Sequence, residues 1–274
     1  PLHGTLPCVE YRLELDLGAP APAAAEPLRL DPGAGQVQVL APSMTELALA
    51  VLVGPGVVRA GQVEGLRRFA AEAGAGVVNT WGAKGVFPWD SPFHLGTAGL
   101  QERDFALAGL LEAELVVVSG LDPAEAVAEG WRAGHVLEVA TLAMRWPDLD
   151  RRPERSRLYC ELSGALGPLC TSGAVPLTPA RAAADLAAVL PPGGLVAADP
   201  GPAGLWVARA LSTSEPGSVV VPSLPVRGFA AAAAVVAGLD RRPAIGVVTD
   251  PLDDPSRVML ALAERWGVPA AVEV

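Results

Sequence analysis

The sequence predicts an α/β protein made of two doubly wound parallel-sheet domains, and three observations carry that expectation. Short apolar, partly β-branched runs bounded by glycine and proline recur along the chain: Val51 to Val53, Gly76 to Asn79, Leu115 to Ser119, Leu195 to Ala198 and Ala244 to Val248. Helical stretches fall between them, and that alternation is the mark of βαβ units. The length of 274 residues, with 51% hydrophobic, is enough for one large or two ordinary domains, each able to bury a core.

The divisions follow composition. Residues 1–41 read as a strand and an Ala/Pro-rich linker, 42–145 as a nucleotide-binding-like domain, 146–176 as a linker, and 177–274 as a second α/β domain that is incomplete at its C-terminus. In the first part, Val9, Tyr11, Leu13, Leu15 and Leu17 alternate with polar residues as in a half-buried strand, and Gly18 to Glu26 favours an extended connection.

Charge and cysteine usage exclude several function classes. A net charge of −10 with no basic block argues against nucleic acid as a partner, and Lys84 is the only lysine among 20 basic residues. Cys8, Cys160 and Cys170 form no CxxC or zinc-spaced cluster, so a reduced, cytoplasmic setting is expected. The apolar runs are interrupted and too short to span a bilayer, so no membrane role is expected. The first residue is Pro1 rather than Met, which suggests a fragment.

In the first domain, a helix is expected over Met44 to Ala50, with Ser43 as cap and Glu46 as its capping-box partner. Gly54 and Gly56 fall on the turn after the first strand; they serve either a nucleotide phosphate or a tight strand-to-helix connection. Helices are expected over Ala60 to Ala73, Asp104 to Leu111 and Pro123 to Gly134, and a strand over His135 to Ala140. Between them Thr80 to Gly99 reads as one long functional loop holding Lys84, His94, Gly96 and Gly99, with Lys84 and His94 as candidate phosphate or diphosphate contacts and as ordinary loop residues on the plainer reading. The Arg-rich stretch Trp146 to Arg157 reads as a solvated connection.

In the last domain Thr178-Pro179 caps a helix through Leu190, and Leu195 to Ala198 runs into Asp199-Pro200-Gly201 with Trp206 in the helix beyond. The decisive stretch is Ser223 to Asp250: a loop, Gly228 freeing the backbone before a helix, Ala230 to Ala234 as a face another backbone or a ligand can approach, and a strand ending at Asp250. Open α/β sheets bind ligands at the carboxyl ends of their strands, where a carboxylate invites a cation. A helix from Pro255 to Trp266 and a final apolar segment, Val268 to Val272, close the chain, with Asp253 and Asp254 as helix caps or cation ligands.

These motifs, in this order, resemble the thiamine-diphosphate enzymes, specifically the acetolactate synthase and pyruvate oxidase group. The family's Gly-x-Met-Gly turn, Ala-rich helix and strand ending in Gly-Asp-Gly stand here as Pro225-Val226-Arg227-Gly228, the alanine run and Thr249-Asp250-Pro251. Its Gly-Lys-Gly and His-x-x-Gly-x-x-Gly elements are similar to Ala83-Lys84-Gly85 and to His94, Gly96 and Gly99. The family's Asn pair belongs where the chain stops at Val272-Glu273-Val274. The resemblance implies a central domain followed by an incomplete diphosphate-binding domain, and a 2-oxo acid carboligase or decarboxylase lineage. It implies thiamine diphosphate held at Arg227, Gly228, Thr249 and Asp250, with Asp250 on magnesium, and FAD, another nucleotide or nothing on the central domain near Gly54, Gly56, His94, Gly96 and Gly99.

Arg227 in place of Met and Pro251 in place of Gly depart from the family pattern, so no catalytic residue is expected on this chain and no catalysis by it alone. The resemblance implies a homo-oligomer or a hetero-oligomer with a pyrimidine-binding subunit. The alternative is a non-catalytic nucleotide-binding or regulatory subunit that associates with an active homologue.

Overall fold

The computed structural model describes residues 49–126, 130–132, 135–138, 152–249 and 251–273. The expected strand at Cys8 to Leu17, the linker after it, the Ser43 cap and most of the helix from Met44 lie outside the described residues, as does Asp250. The described part is α/β throughout, with two sheets of parallel strands.

The first sheet contains β1 (Leu49–Val53), β2 (Val77–Thr80), β3 (His94–Ala98), β4 (Leu115–Ser119) and β5 (His135–Glu138), in the order β3-β2-β1-β4-β5. Leu49 and Ala50, expected to end a helix, are the first two residues of β1. Pairing of Leu49 to Leu115 and Ala50 to Val116 fixes them there, so the sheet ladder overrides the local helical pattern. All five residues of β4 are buried, as expected of a strand covered on both faces.

Side chains alternate across the sheet and divide the core in two. On one face, Val51, Val53, Val77 and Val117 meet Leu66, Phe69, Ala70 and Ala73. These four lie on α2 (Val63–Ala73), which follows the short helix α1 (Pro55–Arg59); their spacing is that of a single helical stripe. On the other face, Leu52, Val78, Val116 and Val118 pack with Phe105, Leu110, Trp131 and Leu158. Phe105 belongs to α3 (Asp104–Leu107), which ends four residues before the expected Leu111. Residues 123–126 form a turn where a helix was expected, and the rest of that stretch is only partly described.

Leu158 comes from a segment that reads as linker. It lies on α4 (Arg157–Cys170), a 14-residue helix started by Ser156, whose hydroxyl accepts from the Tyr159 amide at 3.0 Å. One end of α4 buries Leu158 completely against the first sheet, worth about 1.5–3 kcal/mol for a side chain of this type. Its other end places Leu166 and Cys170 on the core of the second unit.

The second sheet contains β6 (Leu195–Ala198), β7 (Val219–Val220), β8 (Ala244–Val247) and β9 (Ala271–Glu273), in the order β7-β6-β8-β9. One face carries α5 (Pro179–Val189), capped by Thr178, and α6 (Pro202–Ala210), whose Val207 and Ala210 join Val196, Ala198 and Leu211. The other face carries α7 (Phe229–Leu239) over Leu195 and Ala197. The alanines of α7 let its backbone approach β8: a Cβ at Gly246 would stand 3.0 Å from the Ala230 carbonyl. A strand backbone, rather than a ligand, takes that small-residue face. α8 (Asp254–Trp266) completes the unit, with Asp253 accepting from the Ser256 amide at 2.8 Å as its cap.

Candidate functional site

Each sheet changes direction of winding once, between β1 and β4 in the first and between β6 and β8 in the second. The crevice outside the carboxyl ends of those two strands is where open α/β sheets take ligands. Gly54, at the end of β1, closes the first crevice rather than opening it. A Cβ there would stand 2.4 Å from the Gly120 carbonyl, and one at Gly56 would stand 2.6 Å from the Gly120 Cα. The Gly54 amide donates to Ser119 and the Gly56 amide to Gly120, at 3.0 and 2.8 Å. The two glycines therefore pack one loop backbone on another.

Beside them stands a carboxylate that the sequence pattern does not single out. Glu125 is 6% exposed and accepts from the Thr80 hydroxyl at 2.5 Å and the Gly82 amide at 3.0 Å. Burial raises its pKa to about 7 against the pull of those two donors. Gly99 lies close by, because a Cβ there would meet the Glu125 carbonyl oxygen at 2.3 Å.

His94 and Gly96 are not at this edge. The stretch that reads as one loop contains β3, and His94 opens it, paired with Val77 at the amino-terminal end of β2. His94 is 4% exposed, with neither ring nitrogen hydrogen-bonded, and Gly96 is covered by Leu158. The proposed nucleotide contacts of the first unit thus fall on opposite edges of its sheet. Burial, then the charges of Lys84 and Arg155, lowers the His94 pKa to about 3, so the ring is neutral. Lys84 is 5% exposed; burial, with Arg209 second, lowers its pKa to about 7. Arg155 is half-buried rather than on a solvated face as the linker composition suggests: it donates to the backbone carbonyls of His94 at 2.9 Å and Asp90 at 2.7 Å, and lies 4.1 Å over the Tyr159 ring.

At the second crevice, β6 ends in Asp199 and β8 runs into Thr249, and Asp250 follows outside the described residues. Asp199 accepts from the Ala230 amide at 2.8 Å, so its carboxylate occupies the first turn of α7. Burial raises the Asp199 pKa, with the backbone amides opposing and the neighbouring Asp253 charge adding to the rise. Gly228, with φ 71°, lies against Pro255 and Ser256 at the start of α8. Arg227 spans the same gap to Asp253 at 3.3 Å and is itself largely exposed. The structure therefore gathers Arg227, Gly228, Asp199 and Asp253 around the start of α7.

Thr249 follows β8 two residues after Val247, whose carbonyl accepts from the Asp199 amide at 2.9 Å. It lines a mostly apolar cavity of about 350 Å³ on the α5–α6 face, together with Pro179, Ala183, Pro202, Trp206 and Val247. Trp206 is half-buried there and borders the cavity besides packing on the core. A volume of this size is that of a small-molecule pocket. Asp253 caps α8, as the sequence suggests. Among the described residues no three His, Cys, Asp or Glu side chains cluster as a metal site, and no helix is long and apolar enough to cross a membrane.

For thiamine diphosphate the described groups fit in part. α6 begins at Gly201 with no side-chain cap, and a Cβ at Gly201 would meet nothing within 4 Å, whereas one at Gly204 in the same turn would meet the Asp199 carbonyl oxygen at 2.6 Å; the turn is open on its Gly201 side. The first turn of α7 already holds the Asp199 carboxylate.

The fold so described is that of a two-unit α/β chain, and comparison with known proteins places its first unit. Residues 47–139, which span the five-stranded sheet, match the family model of the thiamine pyrophosphate enzyme central domain. A solved protein from Mycobacterium smegmatis, provisionally assigned as a thiamin diphosphate-dependent enzyme, is similar over 93% of this chain with a TM-score of 0.65 and 19% identity. This chain spans 55% of that one. No curated protein matches. The match places residues 47–139 with that central domain, and the structural similarity shows a shared fold.

Proposed function

We propose that this chain is a divergent thiamine-diphosphate family protein of the acetolactate synthase-like, 2-oxo acid carboligase or decarboxylase lineage, not catalytic by itself. The central-domain match and the order of the two units support the family. The observation that carries the second half is the start of α7, where Asp199 takes the Ala230 amide, Pro255 covers Gly228, and Arg227 is paired to Asp253. Groups of the chain itself fill a helix N-terminus that would otherwise receive an anion.

In this reading the Gly201 side of the first turn of α6, Thr249 and Asp250 would hold the cofactor's diphosphate and magnesium. The bound cofactor supplies carbanion stabilisation at a 2-oxo acid. Magnesium there would neutralise a diphosphate that an acidic chain would repel. In this reading the chain associates as a homo-oligomer or as a hetero-oligomer with a pyrimidine-binding subunit.

Calorimetric titration of thiamine diphosphate with magnesium tests this. Binding is expected with a pyrimidine-binding partner present, lost in Asp250→Ala, and at least tenfold weaker for the chain alone. Tight binding and turnover by the chain alone would overturn the non-catalytic part. Absence of binding with the partner favours the second reading, a regulatory subunit.

A further inference from the structure

The seam between the two units contains a buried cluster that the thiamine reading does not use. Lys84 and His94 are each more than nine-tenths buried and border one small cavity, which Thr97 lines from the first unit and Ser212 and Thr213 from the second. Its free space is about 10 Å³, room for one ion or water centre. Ser212 is exposed, so the cavity has a way out to solvent.

Neither ring nitrogen of His94 has a partner, and the influences on the Lys84 amine are burial and the Arg209 charge, with no carboxylate among them. Buried polar groups left this way are costly, and a buried ammonium more so. Arg209 and Arg155 add positive charge beside them. Asp104, the buried carboxylate here, is already taken: its Oδ2 accepts from Arg209 at 2.7 Å and from the Leu100 and Gln101 amides at 2.9 Å. The Thr97 hydroxyl accepts from Asn79 at 3.2 Å, which leaves its own proton to donate. A water would meet some of these donors but not the charge.

We propose that this cavity is a site for one small monovalent anion of halide size, held by the Lys84 ammonium, the His94 N–H and the hydroxyls of Thr97 and Ser212, and that the bound anion ties the two units together. The site is independent of any thiamine cofactor.

Two experiments test it on the full chain. In thermal melts at constant ionic strength, replacing gluconate, too large for the cavity, by bromide should raise the Tm saturably; in Lys84→Met the bromide affinity should fall about tenfold or more. A Tm that is the same in both salts, or an unchanged bromide response in Lys84→Met, overturns the proposal. Crystals soaked in bromide should show an anomalous peak between Lys84 and His94. Bromide found only on surface arginines overturns it, whether or not the variant folds.

Discussion

Glu125 shows how burial of one residue sets a pH dependence. Its carboxyl has an ordinary pKa of 4.5 and one of about 7 in the folded chain, so between those values the folded state holds more protons than the unfolded state. Stability contributed by this group is therefore present below pH 4.5 and is lost as pH rises through 7, on the order of 3 kcal/mol if the whole shift is expressed. Glu125→Gln should remove that slope while its amide oxygen still accepts from Thr80 and Gly82. Urea melts at pH 5 and pH 8 check this: the variant should gain on the wild type at pH 8, and parallel curves would show that folding does not raise the Glu125 pKa. Nothing around Glu125 marks it in the sequence, because its partners Thr80 and Gly82 lie more than 40 residues away. His94, in contrast, is conspicuous in sequence as a possible ligand, and the structure makes it a buried, neutral strand residue.

Elements behave differently from single residues, since their local patterns survive folding except where a ladder or a packed face competes. β4 and β6 have the expected limits, and α8 starts one residue before Pro255. α4 was hidden because Gly164, Gly167 and Pro168 lower its helix propensity, and Leu158 gains its burial from a sheet whose contacting strand, at Gly96, lies about 60 residues earlier in the chain. The turn after β1 allows a sharper test of role. If Gly54 and Gly56 serve loop packing, Gly56→Ala forces its Cβ onto the Gly120 backbone and should cost about 1–3 kcal/mol in a urea melt. A variant of unchanged stability would show that the loops can part, which a nucleotide phosphate would need.

At the scale of the whole molecule, a buried ion pair joins the units. Arg209 of α6 donates to Asp104 at 2.7 Å and to the Thr97 carbonyl at 2.8 Å, with side-chain exposures of 6% and 3% for Arg209 and Asp104. Trp81 adds a bond to the Val221 carbonyl at 3.2 Å, and Gly85 lies against the Glu215 backbone. Arg209→Met leaves Asp104 charged, buried and without its cation, a loss of about 3–5 kcal/mol for pairs of this kind. Urea denaturation should show that drop, and limited proteolysis should cut between the units faster than in the wild type. Equal stability and equal cleavage would mean the units hold together without the pair.

The sequence by itself determined the α/β class, most strand positions, the caps at Thr178 and Asp253 and the resemblance of residues 47–139 to a known central domain, because periodicity, turn residues and caps act over a few neighbours. Only the tertiary structure decided that Gly54 meets Gly120, that His94 lies on the opposite edge of its sheet from Glu125, and that Asp199 fills the first turn of α7. It also decided that Lys84 is buried at a seam with Arg209. Those facts depend on which distant segments share a dielectric environment and a donor, and chain order carries no local trace of that.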